Sequence, residues 1–291
     1  MINPELIVTA ILNGLSIAMT LALVALGMGL IFGLMHVPNF AQGNFFALGA
    51  YVTFSIVVLT GNFWLAIPIG ALCVALTGLL FEPVLLRRMY GRPLPEILVV
   101  MFGVLLITFD AIEVIWGSVG LPVNPPSVLA GSVSLAVAEY PAYRLFQIVF
   151  AGVVCVMFYV FLKKTTLGLL IRAGAQDRGM IQALGIDINK IFLAGFCIGI
   201  GLAGVGGAIT APFTQVFPLM GNDIIIKIFV VVVLGGIGSF RGTLLATFIL
   251  GLASAFSALI WPPLSEIIIF FIMGFILIVR PGGILGEGEE V

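Results

Sequence analysis

The chain has 291 residues, of which 62% are hydrophobic and 9% charged, with a mean hydropathy of +1.29 and a net charge of −1. Soluble domains carry about 25% charged residues, so a water-soluble fold is excluded and lipid must be the main solvent. A net charge near zero also argues against nucleic acid as a partner.

The first ten residues lack a basic n-region, and the apolar run behind them is too long for a signal peptide, so it is expected to be a retained span. From Leu6 to Phe81 there is no Asp, Glu, Lys or Arg. At about 20 residues per crossing this run holds three spans, placed at 6–34, 44–60 and 63–86. Between the first two, residues 36–44 contain Pro38, Asn39, Gln42 and Asn44, which make poor lipid-facing helix. They predict either a surface loop or a break that lines a cavity, since irregular backbone at membrane depth must be covered by protein or water. Arg87, Arg88 and Arg92 then mark a basic loop that Pro93 and Pro95 close. Further spans are expected at 96–117, 143–162, 190–211, 223–236, 243–260 and 264–280. The segment 223–236 is short for a crossing. Residues 118–142, rich in Pro, Gly and Ser and free of Lys and Arg, predict an extracytoplasmic loop with a short extended piece.

The fold class expected is therefore an all-α integral membrane protein, a polytopic bundle of about 8–9 segments with broken helices, in a single domain over 1–291. Ten basic residues fall on one side of this layout, in the loops after the third and fifth spans, near Lys190 and Arg241, and at Arg280. Arg144 and Lys227 are left for the other side. The positive-inside rule puts the basic loops in the cytoplasm, the N-terminus outside and the C-terminus inside.

Four features stand out. Gly195, Gly199, Ala203, Gly207 and Ala211 recur every four residues, a small-residue stripe suited to close helix packing, a subunit interface or a pore lining. Gly235, Gly236 and Gly238 break a helix ahead of Ser239, which predicts either a tight turn at the cytoplasmic surface or a discontinuous helix beside a substrate path. Asn39–Gly43 and Ser239–Gly242 each open an outward-running span, a faint sign of two parallel halves. Residues 163–189 form a polar interruption in which Gln176–Leu184 is expected to be a short helix closed by Gly185 at C′, fit for a groove in another protein or for lipid headgroups.

Among charges within spans, Asp110 and Glu113 share a helix face, and Asp223 and Lys227 are spaced to pair. They are expected to touch water at the outer interface or to form an acidic rim. Cys73, Cys155 and Cys197 lie in apolar runs without metal or redox spacing, and His36 has no second His or Cys near it. No metal site, bound cofactor or nucleophile–base pair is expected, and so no enzyme.

Several dispersed motifs carry a resemblance: Asn39-Phe40-Ala41-Gln42-Gly43 with Leu48-Gly49-Ala50-Tyr51; Arg92-Pro93-Leu94; Leu167-Gly168, Arg172-Ala173, Gln176-Asp177 and Leu184-Gly185-Ile186; and Leu234-Gly235-Gly236-Ile237-Gly238-Ser239 with Gly242. In this order, from about residue 10 to 285, the chain resembles the LivH-like permease subunits of branched-chain-amino-acid-type ABC importers. The resemblance implies a bacterial inner-membrane complex. Its other parts are a second, LivM-like permease, two cytoplasmic ATPase subunits holding ATP and Mg²⁺, and an extracytoplasmic binding protein.

It also implies that 163–189 is the coupling loop, with Arg172, Gln176, Asp177, Arg178, Leu184 and Gly185 serving ATPase contact. Asn39, Gln42, Asn44 and Ser239, polar groups at helix breaks, are the substrate-pathway candidates. The resemblance implies a branched-chain or other amino acid as cargo; the family commonly has His and Glu where this chain has Gln42 and Asn44, which, if those side chains face the pathway, leaves urea, short amides and small organic acids also open. An ion-coupled carrier or a channel is the alternative. The lack of carboxylates deep in the first three expected spans, which are free of Asp and Glu from Leu6 to Phe81, speaks against it.

Overall fold

The computed structural model describes residues 4–135 and 138–285. Eleven helices are described: α1 (Pro4–Met35), α2 (Gln42–Thr60), α3 (Phe63–Val84), α4 (Leu94–Trp116), α5 (Ala142–Lys164), α6 (Thr166–Gln176), α7 (Arg178–Ala183), α8 (Ile188–Thr210), α9 (Met220–Gly235), α10 (Phe240–Ile260) and α11 (Leu264–Val279). The expected spans recur to within a turn. Seven of the described helices are long and apolar enough to cross a membrane. The protein is a multi-pass membrane protein. Helices α9 and α11 have 16 residues each, about 24 Å at 1.5 Å per residue, short of the ~30 Å hydrocarbon core.

Helix α1 runs through the middle of the bundle, against α5, α8, α9 and α10. Its 32 residues are apolar on every side, which suits a helix enclosed by others. The small-residue stripe of α8 turns out to serve packing within the chain. A methyl group on Gly195 would meet Leu34 at 2.5 Å, and one on Gly199 would meet the Gly27 carbonyl oxygen at 2.7 Å. Further along, Gly207 lies directly against the Phe46 carbonyl of α2. Lipid tails are as apolar as Leu, so close van der Waals contact and not water exclusion holds such helices together.

One end of the bundle gathers the C-termini of α1, α3 and α5, the helices α6 and α7, and the start of α10; it is called the basic end below. Here the glycine break resolves into a turn. Gly236 and Gly238 have φ of +91° and +78°, and Ser239 caps α10 by accepting from Gly242 N at 3.1 Å. The orphan carbonyls of α9 find partners in the returning chain: Ile284 N donates to Leu234 O at 2.8 Å and Leu285 N to Gly235 O at 3.4 Å. The two breaks differ, since α2 opens at Ala41 with no side-chain cap. At the opposite end lies an antiparallel hairpin of β1 (Ser132–Leu135) and β2 (Ala138–Pro141), the extended piece expected in 118–142.

Replacing Gly207 with Ala should overpack the α2–α8 crossing and destabilise the protein by about 1–3 kcal/mol. Gly152→Ala, where an added methyl meets nothing within 4 Å, should be neutral or slightly stabilising. Melting curves of the two variants in detergent check the pair; equal melting temperatures would mean that the crossing is not tight.

Candidate functional site

The basic end carries the polar chemistry that faces away from the spans. Thr165 caps α6, its Oγ1 accepting from Gly168 N at 3.0 Å. Ile171 and Gly174 turn inward while Arg172 and Gln176 are exposed. The expected short helix over Gln176–Leu184 forms as α7, shortened to Arg178–Ala183. Gln176 ends α6, and Asp177 adopts an extended backbone and caps α7 through Oδ1, accepting from Met180 N at 2.9 Å. The reason is local: an Asx cap at residue 177 captures the amide that a continuous helix would bind to its own backbone. Gly185, at φ +77°, stands past the end of α7 as expected.

Arg178 turns toward the bundle. Its Nη2 donates to Leu34 O at 3.2 Å and lies 2.9 Å from His36 Nδ1, and its guanidinium sits 5.0 Å from the centre of the Phe192 ring. Phe192 stacks edge-on against Tyr90 at 4.9 Å. Tyr90 in turn donates to Glu82 Oε1 at 2.8 Å, and Glu82 is paired with Arg87 at 2.9 Å. So α7 is tied to the last turn of α1, and the loop after α3 joins the same cluster. Glu82 is fully buried, and sequence reasoning passed over it. The available signal was a lone carboxylate at the end of an apolar run, five residues before an arginine. Burial, reinforced by the bond to Glu82, holds the Tyr90 phenol well above its ordinary pKa.

His36 closes α1 in the left-handed region, at φ +57°, where His is tolerated better than most side chains. Partial burial, and after it the Arg178 charge, pushes its imidazole below the ordinary 6.5. Neutral His36 can accept from Arg178; protonated His36 repels it.

The pathway candidates lie elsewhere. Asn39, Gln42 and Asn44 are buried, and their amides tie helices together. Asn39 Nδ2 donates to Gln42 Oε1 at 3.0 Å, Gln42 Nε2 to Gly199 O at 3.0 Å and Val24 O at 3.4 Å, and Asn44 Nδ2 to Leu105 O at 2.6 Å. Val24 and Gly199 are mid-helix residues, so the 36–44 break sits inside the bundle, covered by protein. Ser239 is apart from this cluster. Together with Gly33, Arg172 and Phe240 it lines a cavity of about 160 Å³ at the basic end. Asn39 Oδ1 is buried without a partner among the described residues.

The family model for the branched-chain amino acid transport system permease component matches residues 10–277. The chain belongs to this permease family. The permease is 29% identical over 292 residues to the high-affinity branched-chain amino acid transport system permease protein LivH of Salmonella typhimurium, covering 95% of this chain and 94% of that one. It is 30% identical over 301 residues to BraD of Pseudomonas aeruginosa, a permease protein of the same description, covering 96% and 95%. Among solved structures, PsaBC from Streptococcus pneumoniae in complex with Fab aligns with a TM-score of 0.47 at 14% identity, over 91% of this chain and 90% of that chain.

A folded-state preference for neutral His36 makes the sign of a pH effect definite. The Arg178 contact is fully present above the ordinary value of 6.5 and is lost as pH falls through the lowered value, because the unlatched state then binds the extra proton. Hydrogen exchange at the amides of α7 should therefore speed up as pH falls below the ordinary histidine value of 6.5, and His36→Gln should remove the dependence. An α7 exchange rate with the same corrected pH profile in both proteins would contradict the assignment.

Proposed function

We propose that the permease is the translocating subunit of an ATP-driven importer for branched-chain or other small amino acids. It works beside a second, LivM-like permease in the bacterial inner membrane. Two ATPase subunits, which carry ATP and Mg²⁺, grip the basic end from the cytoplasm, and an extracytoplasmic binding protein delivers cargo to the hairpin end. The N-terminus is then outside and the C-terminus cytoplasmic, in line with the basic loops. The names of LivH and BraD support the choice of cargo.

One observation carries the mechanical part of this reading. Helix α7 rests on the bundle through buried Ile181 and presents an exposed apolar edge on its outer side, Met180 at 59% and, just past its end, Leu184 at 65% exposure, while Arg178 holds the backbone of α1. An apolar edge on a short helix suits a partner's groove. A load taken up there passes through Arg178 to the central helix, against which α5, α8, α9 and α10 pack. Division of labour follows: Gln176, Met180 and Leu184 contact the ATPase, Asp177 shapes the helix, and Arg178 transmits.

Two variants separate gripping from transmission in the purified complex. Met180→Glu with Leu184→Glu should weaken ATPase association roughly tenfold or more, as the loss of an interface anchor does, and uptake should fall with it. Arg178→Ala should leave the ATPase bound and hydrolysing but lower the amino acid taken up per ATP. Co-purification and a combined uptake and phosphate-release assay measure both. Normal association and normal uptake in the first variant would remove α7 as the coupling element.

A further inference from the structure

A second cleft opens on the hairpin side of the bundle, between α1, α5, α8 and α9, with a volume of about 230 Å³. This approaches the lower limit of small-ligand pockets, about 300 Å³. Its lining combines charges of both signs with hydroxyl, amide and aliphatic groups.

Lys227 lies on α9 seven residues past Met220, about 10 Å along the helix. It is the one basic residue in that helix. Neither the Lys227 ammonium nor the Asp223 carboxylate, one turn earlier, makes a hydrogen bond or ion pair among the described residues, although both residues line the cleft. An ammonium inside a membrane protein is costly unless it faces water or a counter-charge, and such residues mark transport paths. Across the cleft Gln147 is buried. Its Nε2 donates to Thr20 Oγ1 at 2.7 Å and its Oε1 accepts from Ser16 Oγ at 3.2 Å. An amide nitrogen carries two donors, so one N–H remains for a ligand. The hydroxyls of Thr20 and Thr210 donate to carbonyls of their own helices, at 3.2 and 2.7 Å, which leaves the Thr210 oxygen as an acceptor and one lone pair on the Thr20 oxygen, whose other accepts from Gln147. Ile17, Leu21 and Ile224 supply an apolar wall.

We infer that this cleft is a zwitterion site, which takes the backbone end of an amino acid on its way through the permease. Lys227 and the free N–H of Gln147 receive the carboxylate; Asp223 and the threonine oxygens receive the ammonium; the aliphatic wall accepts a branched side chain. The assignment rests on the reading of the chain as an amino-acid permease, and it names residues that lie outside the Asn39–Asn44 cluster.

The test uses the full importer complex in proteoliposomes. Thr214 lines the cleft, and alkylation of Thr214→Cys by a soluble maleimide is followed by peptide mass spectrometry, which separates it from Cys73, Cys155 and Cys197. Leucine should slow the labelling, roughly halving the rate at a concentration equal to its Kd, while leucinamide, which lacks the carboxylate, should not. Lys227→Gln should abolish the protection and Lys227→Arg should retain it. Leucine uptake by Lys227→Gln should drop about tenfold or more, the loss of one charge-assisted hydrogen bond. Protection that is absent, or that survives Lys227→Gln, overturns the site. Leucine protection without ATP-driven uptake would overturn the importer reading and uphold the cleft; uptake without protection would do the reverse.

Discussion

The close approach of α1 to α8 is the constraint on which the other features depend. Where Gly27 meets Gly199, a methyl group on either helix would run into backbone of the other. Lipid supplies no driving force for two apolar helices to separate from it, so contact at backbone distance is what holds them. That contact also brings the Gly199 carbonyl within reach of Gln42, whose amide spans α1 and α8 at once. The irregular 36–44 segment can enter the bundle because its polar groups are met there by helices already pressed together.

From this centre the two ends diverge in character. At the basic end the ties are ionic and aromatic: Arg178 on the α1 terminus, Phe192 between Arg178 and Tyr90, and Glu82 beneath Tyr90 and Arg87. These groups order a surface that is itself outside the spans. At the hairpin end, Tyr140 Oη donates to Asn13 Oδ1 at 3.0 Å, Arg144 bonds the same oxygen, and the Arg144 guanidinium lies 3.8 Å from the Phe213 ring centre. Helix α1 runs from one end to the other, so that under the proposed function a displacement at one end has a direct route to the other.

Much of this was legible in the sequence because lipid makes strong demands. Charge-free runs had to be helices, and their limits followed from Gly61–Asn62, Pro93 and Ser239. The α8 stripe was visible as a four-residue period, although its use for packing within the chain needed coordinates. What the sequence concealed came from pairings remote along the chain. Nothing in the order of residues says that Arg178 reaches Leu34, or that Gln147 meets Ser16 and Thr20. Asp177 was legible as polar but not as the cap that sets the start of α7. Gln42 and Asn44 were legible as polar groups at a break, yet their partners, Gly199 and Leu105, lie 157 and 61 residues away. Glu82 escaped because a carboxylate at a span's end reads as exposed until its arginine and tyrosine fold over it.

Under the proposed function the basic end is cytoplasmic and a partner grips it through α7. Thiol labelling of Leu184→Cys in intact cells and in inverted membrane vesicles tests it most directly. An impermeant reagent is expected to label it from the cytoplasmic side alone, with protection once the ATPase subunits are bound. Labelling from the outer side, or a residue equally reactive with and without the ATPases, would contradict it.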